Sequence, residues 1–277
     1  MIVPWGQVWL PLRLSHMSYS NIRFEVGDAG IALVTISRPE KLNALNTETV
    51  LELRDAVARA ASDAEVRALM VTGAGEKAFV AGADINQLAV LTPIEAQAYA
   101  ERGQRVFREI EMLAKPTLAA INGYALGGGL ELAMSCAVRV ASENARLGQP
   151  EVKLGILPGY GGTQRLPRLV GRGRAIDLLM TGETIDAAEA YKLGLVNYVT
   201  PLEELLPFCR AWVHKVLANG PKAVALTIEA VDVGLDCGIE EGLRFEAAAF
   251  GLAAATEDRR EGTRAFLEKR KAAFAGK

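Results

Sequence analysis

The pattern of apolar and polar residues near the start of the chain predicts a β-hairpin followed by a helix. Polar and apolar residues alternate in NIRFEV (21–26), and the β-branched run IALVTIS (31–37) follows after the turn GDAG. The next segment, RPEKLNALN, breaks the strand pattern. Asn46 or Thr47 can cap a helix that extends to about Ala61. The sequence therefore predicts strand, strand and helix in this order.

Further along the chain, strands and helices alternate before the pattern becomes almost wholly helical. The apolar runs VRALMVTG (66–73) and PTLAAING (116–123) predict buried strands. Between them, TPIEAQAYAERGQRVFREIEML (92–113) predicts an amphipathic helix with Pro93 in its first turn. After Gly161 the pattern predicts helices, interrupted by one short strand in LVNYV, and four helical segments end the chain.

These patterns divide the chain into three parts. Residues 1–17 are predicted to be a disordered and dispensable N-terminal extension, since Pro4 and Pro11 interrupt the apolar run and no basic segment precedes it. Residues 18–200 are predicted to form an α/β core that carries the active site. Residues 201–277 are predicted to be helical, and LRFEAAAFGLAAA offers more apolar surface than a lone helix leaves in water. Either the core of the same chain or another subunit covers this surface, and the second case would make residues 201–277 a helical oligomerisation region.

The composition changes this picture by excluding several classes of protein. The 277 residues carry 31 basic and 33 acidic side chains, well mixed, with a net charge of −2, so nucleic acid is not an expected partner. No apolar run is long enough for a membrane span, and no membrane partner is expected. Three scattered cysteines predict no disulfide framework and favour a reducing, cytoplasmic location. With two histidines in the whole chain, no catalytic metal is expected.

Familiar cofactor and nucleophile motifs are missing from the sequence. There is no GxxxxGK[ST] motif, and VGRGRAID lacks the third glycine and the preceding strand of a dinucleotide fold. There is no GxSxG motif for a serine hydrolase. We therefore expect no cofactor.

A glycine-rich segment, AINGYALGGGLELA, is the first candidate for chemistry. A buried strand leads through a turn into three glycines that open a helix, where free N–H groups and the helix dipole favour negative charge. This pattern suggests an oxyanion hole, and the loop FVAGADI could supply a second N–H group. The alternative is that the glycines form only a tight turn and a close contact between helix and strand.

Two glutamates are the second candidate. Glu131 lies in an otherwise apolar segment, so either a partner neutralises its charge or it faces a cavity where a carboxylate is used. Glu151, in GQPEVKLGILPGYGG, precedes another glycine-rich stretch and is either a solvated loop residue or the second member of an acid–base pair. Two carboxyls beside an oxyanion hole are what adding water next to a carbonyl requires.

Together these segments resemble the enoyl-CoA hydratase (crotonase) family over residues 20–275. The resemblance rests on six motifs in the family's order and spacing: RPEKLNALN, KAFVAGADI, AAINGYALGGGLELAM, GQPEVKLGILPGYGGTQRLPRLVG, MTGETIDAAEAYKLGLVN and TEDRREGTRAFLEKRKAAF. It implies an α/β fold in which a spiral of repeated ββα units is followed by a helical C-terminal trimerisation region. It also implies a homo-oligomer, expected to be a hexamer built as a dimer of trimers.

The resemblance also implies residue roles and a reaction. The backbone N–H groups of Ala83 and Gly128 would form the oxyanion hole, with Glu131 as base and Glu151 as acid. The expected reaction is the reversible addition of water to a trans-2-enoyl-CoA, giving 3-hydroxyacyl-CoA, so that coenzyme A is part of the substrate rather than a cofactor. The substrate-binding residues implied by the resemblance are Lys41, Ala44, Leu45, Ala81, Asp84, Ile85, Gly127, Pro150, Gly159, Phe266 and Lys269.

Alternatives remain at this point. Lys41 and Lys269 could be ordinary solvated surface lysines. Another reaction on the same scaffold, such as double-bond isomerisation or thioester hydrolysis, would also use an acyl-CoA. An RNA-binding module is a third possibility, and the even charge balance argues against it.

Overall fold

The computed structural model describes residues 19–277, so the predicted extension of residues 1–17 lies outside the described residues. The strands of the described part are β1 (Ile22–Val26), β2 (Ile31–Ile36), β3 (Ala68–Gly73), β4 (Ala78–Val80), β5 (Thr117–Ile121), β6 (Tyr124–Leu126), β7 (Val138–Ser142), β8 (Arg146–Gly148), β9 (Thr184–Asp186) and β10 (Tyr198–Thr200). The α-helices are α1 (Thr47–Ser62), α2 (Ile85–Leu88), α3 (Pro93–Glu111), α4 (Gly128–Met134), α5 (Gly162–Val170), α6 (Arg172–Thr181), α7 (Ala187–Lys192), α8 (Leu205–Leu217), α9 (Pro221–Asp236), α10 (Ile239–Ala254) and α11 (Glu257–Leu267).

The strands form two sheets. The larger has the order β1-β2-β3-β5-β7-β10 and is parallel except for the antiparallel β1–β2 hairpin. The smaller has the order β4-β6-β8-β9, with β4, β6 and β8 parallel and β9 antiparallel. Between β3 and β8 the chain alternates between the sheets, and α3 and α4 each follow a strand of the smaller one. This is the predicted spiral of ββα units, and that prediction is confirmed.

The central strands of the larger sheet are buried on both faces, which explains their nearly continuous apolar sequences. Along β2, Ala32, Val34 and Ile36 face the main apolar cluster, which α1 and α3 also enter. Ile31 and Leu33 face the opposite cluster, beneath α8. Because side chains alternate along a strand, each central strand contributes to both layers of the core.

The predicted hairpin is present, with Ile22 opposite Ile36. The α1 helix begins as predicted, and the Asn46 side chain accepts a hydrogen bond from Thr49 N at 2.8 Å. The short strand predicted in LVNYV (195–199) is present but begins later than predicted. Gly194, with a φ of +77°, turns the chain after α7, and strand β10 starts only at Tyr198. Four helices follow, as predicted.

The last helices differ in how they meet the core. Leu205, Cys209 and Val213 of α8 pack on the larger sheet, whereas α9 and α10 pack mainly on each other. Within residues 19–277, α11 contributes to neither apolar cluster. None of the helices in this part of the chain combines the length and apolar character needed to cross a bilayer.

Candidate active site

The candidate catalytic residues follow three neighbouring strands of the smaller sheet. Ala83 comes shortly after β4, Gly128 after β6, and Glu151 after β8. These strands are parallel and adjacent, so their carboxyl ends lie at the same edge of the sheet. Crevices at the carboxyl ends of parallel strands are common ligand sites in α/β proteins. The topology thus brings together residues that are up to 68 positions apart, from 83 to 151.

The loop that carries Ala83 is joined to the segment before α1. Leu45 N donates to Gly82 O at 2.8 Å, and Asp84 N donates to Leu45 O at 2.8 Å. Gly82 has a φ of +109°, a conformation that favours glycine. Within residues 19–277 the Ala83 N–H donates to no backbone acceptor, so it is available to a ligand.

The three consecutive glycines each meet a different requirement. Gly127 has a φ of +48°, and a Cβ there would lie 2.7 Å from Glu151 Oε1. A Cβ on Gly129 would collide with the carbonyl oxygen of Val80, so this glycine lets α4 approach β4. Gly128 is the first residue of α4, where an N–H group has no intrahelical partner. The glycine-rich run is therefore both a tight packing device and a source of a free N–H group.

Glu131 lies in the first turn of α4 and is only 1% exposed. Its Oε1 atom accepts hydrogen bonds from Tyr160 N at 2.8 Å and Gly162 N at 2.6 Å. Burial, followed by the neighbouring charge of Glu151, raises the pKa of Glu131 to about 8. Backbone donors thus partly compensate the charge that seemed unexplained in the sequence, while burial favours the protonated form.

Glu151 lies in a short 3₁₀ helix, Pro150–Leu154, immediately after β8. With its amide nitrogen turned toward the carboxyl group, the buried Gln149 side chain donates to Glu151 Oε1 at 3.0 Å and Oε2 at 3.1 Å. Burial raises the pKa of Glu151 to about 7. Two carboxyls with raised pKa values in one site favour a single shared proton near neutral pH, so their titration belongs to the pair.

Two residues that the sequence did not single out hold the loops of this site. The guanidinium group of Arg38 donates to the carbonyl oxygen of Ala44 and pairs with Asp84 Oδ2 at 3.2 Å. Asn43 is buried at a φ of +59°, and its Nδ2 atom donates to Ala74 O at 3.0 Å and Ala78 O at 2.8 Å. Both occur in the motif RPEKLNALN, but nothing in the motif alone reveals these distant partners.

Arg165, also not predicted, supports the segment that donates to Glu131. Its side chain pairs with Glu111 and donates to Tyr160 O at 2.6 Å. The sequence signal was only that Arg165 follows PGYGG in a family motif. The contact explains how the Tyr160 and Gly162 N–H groups keep their direction.

The structure places the expected substrate-binding residues in three groups. The first group lies near the oxyanion loop and comprises Lys41, Ala44, Leu45, Ala81, Asp84 and Ile85. Leu42 O accepts a hydrogen bond from Ala81 N at 3.0 Å, which brings the 41–45 and 81–85 segments together. Next to the carboxyls lie Gly127, Pro150 and Gly159; Gly159 O accepts from Gln104 Nε2 at 2.8 Å. The third group, Phe266 and Lys269, is at the end of α11, outside both apolar clusters; Phe266 is 83% exposed.

The candidate active site is built from carboxyl side chains and backbone N–H groups of the described residues. Within residues 19–277, no three His, Cys, Asp or Glu side chains cluster in a way that could hold a metal ion. Two free N–H groups beside two carboxyls can polarise a carbonyl group and move protons at neighbouring carbons.

Comparison with known proteins gives a consistent result across sequence and fold. The model of the family described as enoyl-CoA hydratase/isomerase matches residues 27–277. A crotonyl-CoA hydratase of Syntrophomonas wolfei is 51% identical over 94% of this chain and 100% of its own length. A short-chain-enoyl-CoA hydratase of Clostridium acetobutylicum is 48% identical over 92% of this chain and 97% of its own length. The crystal structure of an enoyl-CoA hydratase from Bacillus anthracis superposes with a TM-score of 0.90, at 39% identity, and covers 93% of this chain and 100% of that one.

Proposed function

This chain belongs to the enoyl-CoA hydratase/isomerase family, and we propose that it is an enoyl-CoA hydratase that adds water reversibly to a trans-2-enoyl-CoA, giving 3-hydroxyacyl-CoA. The observation that carries this proposal is the pair of carboxyls, Glu131 fully buried and Glu151 partly buried, beside the free N–H groups of Ala83 and Gly128. Relatives that are about half identical to this chain are named hydratases of the same substrate class.

The proposed reaction begins with the thioester carbonyl oxygen between the N–H groups of Ala83 and Gly128. These groups stabilise the negative charge that develops on this oxygen as the double bond is attacked. Both donors belong to rigid backbone, held by the Leu45–Gly82 hydrogen bond and by the start of α4. Stabilisation by prepositioned donors requires little reorganisation during the reaction, which is why a backbone oxyanion hole is effective.

Water is added by the two glutamates acting together. The oxygen of water bonds to C3 of the enoyl group while Glu131 takes a proton from the water. The electron pair of the C2–C3 double bond takes the proton of Glu151 at C2, so one water is added. Glu131 then holds a proton and Glu151 is ionised, and transfer of one proton between them restores the starting state.

In the complex we assign the ionised form to Glu131, because two backbone N–H groups already point at its Oε1 atom. Burial and the charge of Glu151 raise the pKa of Glu131, and these two N–H donors oppose that rise by stabilising the carboxylate. The Oε2 atom of Glu131 is then free to accept the proton of water.

Coenzyme A binding is proposed along the joined 41–45 and 81–85 segments. The Arg38–Asp84 pair fixes their relative position, so the backbone of these segments would form one surface for the adenine. Lys41 supplies a positive charge for the phosphates. Phe266 lies at the end of α11 and Lys269 just after it, away from both apolar clusters, so we place them over the coenzyme A of a neighbouring subunit.

The enzyme is expected to convert crotonyl-CoA to a product heavier by one water, with no release of free thiol. Loss of the absorbance of the conjugated enoyl thioester gives the rate, and mass spectrometry identifies the product. An unchanged mass would identify isomerisation, and free coenzyme A would identify thioester hydrolysis. Either result as the main product would contradict the hydratase assignment.

The protein is also proposed to form a hexamer built as a dimer of trimers. Among the described residues, α9 buries none of its side chains and α10 buries only Ala249. Leu235 and Leu243 are 63% and 51% exposed, although the two helices pack closely where Gly234 meets Gly242. Apolar helical faces of this kind are stable in water when another subunit covers them.

Sedimentation velocity at micromolar concentration is expected to give a hexamer for the wild type. Leu235→Glu and Leu243→Glu should each shift the protein to smaller species, because a charge would be buried in the interface. Tyr191→Glu, at an exposed position on α7, is the matched control and should leave the mass unchanged. A wild-type monomer would contradict the oligomer and the role given to Phe266 and Lys269.

A further inference from the structure

A buried aromatic cluster lies directly beside the proposed reaction centre. The rings of Tyr99 and Tyr160 are stacked, with centroids 5.3 Å apart, and the Phe107 ring meets Tyr160 edge-on at 5.4 Å. Tyr99 and Phe107 are on α3, whereas Tyr160 is on the segment that donates to Glu131. All three side chains are at least nine-tenths buried.

The ring of Tyr160 reaches from α3 to the oxyanion residue. A Cβ on Gly128 would lie 3.4 Å from Cδ2 and 3.6 Å from Cε2 of this ring, which is ordinary contact distance. The opposite edge of the ring, Cδ1 and Cε1, lies so close to Gly103 that a Cβ there would collide with it. One ring therefore fills the space between α3 and the N-terminus of α4.

The glycine at position 103 allows the Tyr160 ring to take this position. Gly103 is a buried glycine in the interior of α3, where glycine costs about 1 kcal/mol relative to alanine. Its φ is not in the left-handed region, so backbone conformation does not require glycine there. The close approach of the Tyr160 ring does require it. In addition, Gln104 Nε2 donates to Gly159 O at 2.8 Å and ties α3 to the residue before Tyr160.

The hydroxyl group of Tyr99 gives this cluster a polar end near the site. It is buried, and it has no hydrogen-bond partner among the described residues. Burial raises the pKa of Tyr99, and the side chain of Tyr160 partly opposes this rise. An apolar chain packed against it would leave the hydroxyl without a partner, which is unfavourable.

We propose that Tyr160, supported by Tyr99, forms the end wall of the acyl site and restricts the enzyme to short acyl groups, with four carbons preferred. This inference rests on the proposed hydratase function. The thioester carbonyl lies at Gly128 in the proposed mechanism, and the Tyr160 ring, which faces Gly128, would occupy the space into which a longer acyl chain extends. A chain of eight or more carbons would have to displace the stacked rings from Gly103 and α3.

The test compares kcat/KM for trans-2-enoyl-CoA substrates of four, six, eight and ten carbons. For the wild type, kcat/KM is expected to fall by about tenfold or more between four and eight carbons, in the range that pocket size typically gives. Tyr160→Leu and Tyr99→Leu should each raise the ratio of eight-carbon to four-carbon kcat/KM by about tenfold. The ratio is informative because a general loss of activity cancels from it.

Phe107→Leu is the matched control, because it removes a ring from the same cluster and leaves the Tyr160 ring beside Gly128. It should lower the melting temperature while leaving the chain-length ratio unchanged. Calorimetric titration with butyryl-CoA and octanoyl-CoA gives a second readout that needs no turnover, and the wild type should bind octanoyl-CoA more weakly.

The outcomes separate this inference from the proposed function. Hydration of four-carbon and eight-carbon substrates with equal kcat/KM would overturn the wall but leave the hydratase assignment intact. The same holds if both leucine variants keep the wild-type ratio. No hydration at any chain length would overturn the hydratase assignment, and equal binding of the two saturated acyl-CoAs would then overturn the wall independently.

Discussion

Replacing Glu131 or Glu151 with glutamine is expected to lower kcat for crotonyl-CoA hydration by about 10²–10⁴-fold, because each change removes a proton-transfer group while keeping the side-chain shape. In Glu131→Gln, the amide oxygen can still accept from the N–H groups of Tyr160 and Gly162. In Glu151→Gln, the new amide still lies beside Gln149. The fold should therefore remain intact, and circular dichroism and melting curves check this.

The double variant should lose less than the product of the two single losses, because the carboxyls act as one unit. Glu143→Gln is the matched control: it makes the same chemical change at an exposed position in the turn between β7 and β8. Its kcat should equal that of the wild type. If either active-site variant kept a near wild-type kcat, the assignment of the acid–base pair would have to be abandoned.

The pH dependence of kcat/KM is expected to be bell-shaped, with its maximum near the interval between about 7 and about 8, where the two raised pKa values lie. Below this interval both carboxyls are protonated and no base is available. Above it both are ionised and no acid is available, so the rate should fall about tenfold per pH unit on each side. A profile that is flat from about pH 5 to 10 would contradict the shared-proton mechanism.

The same pKa shifts predict how stability depends on pH. Burial raises the pKa of Glu131 and Glu151 in the folded protein above the ordinary glutamate value, so the folded state binds more protons than the unfolded state at intermediate pH. The stability contributed by these groups is therefore complete below the unfolded pKa and is lost as the pH rises through the folded values.

Melting temperatures at pH 5 and pH 9 test this sign. The wild type should lose more stability over this range than Glu131→Gln, because the glutamine cannot ionise and has no charge to bury. Taking the difference between the variants removes the contribution of other titrating groups. An equal loss of stability in both proteins would show that Glu131 is not held in its protonated form by burial.

The sequence by itself determined the elements that depend on local patterns. The apolar runs of β2, β3 and β5 could be identified because both faces of these strands are buried. The start of α1 followed from the capping residues Asn46 or Thr47, and that of α3 from Pro93 in its first turn. The short strands β6 and β8 were not predicted, because three residues carry too little periodicity to distinguish a strand from a turn.

The family, and with it the candidate roles of Glu131, Glu151, Ala83 and Gly128, also followed from sequence motifs. The motifs could not show how the charge of Glu131 is accommodated, because its donors are 29 and 31 residues away in the chain. Only the parallel order of β4, β6 and β8 brings the oxyanion loops and the second carboxyl to one edge.

Contacts between distant segments were decided by the tertiary structure alone. Arg38 pairs with Asp84, which is 46 residues away in the sequence. The Tyr160 ring packs against Gly103, which is 57 residues earlier in the chain, because glycine has no Cβ to collide with it. Hydrophobic periodicity and capping act over a few residues, so they specify where a helix begins but not which loop packs against it. The pairing of strands and the close packing of side chains set those contacts, and through them the protonation of the site and the space left for the acyl chain.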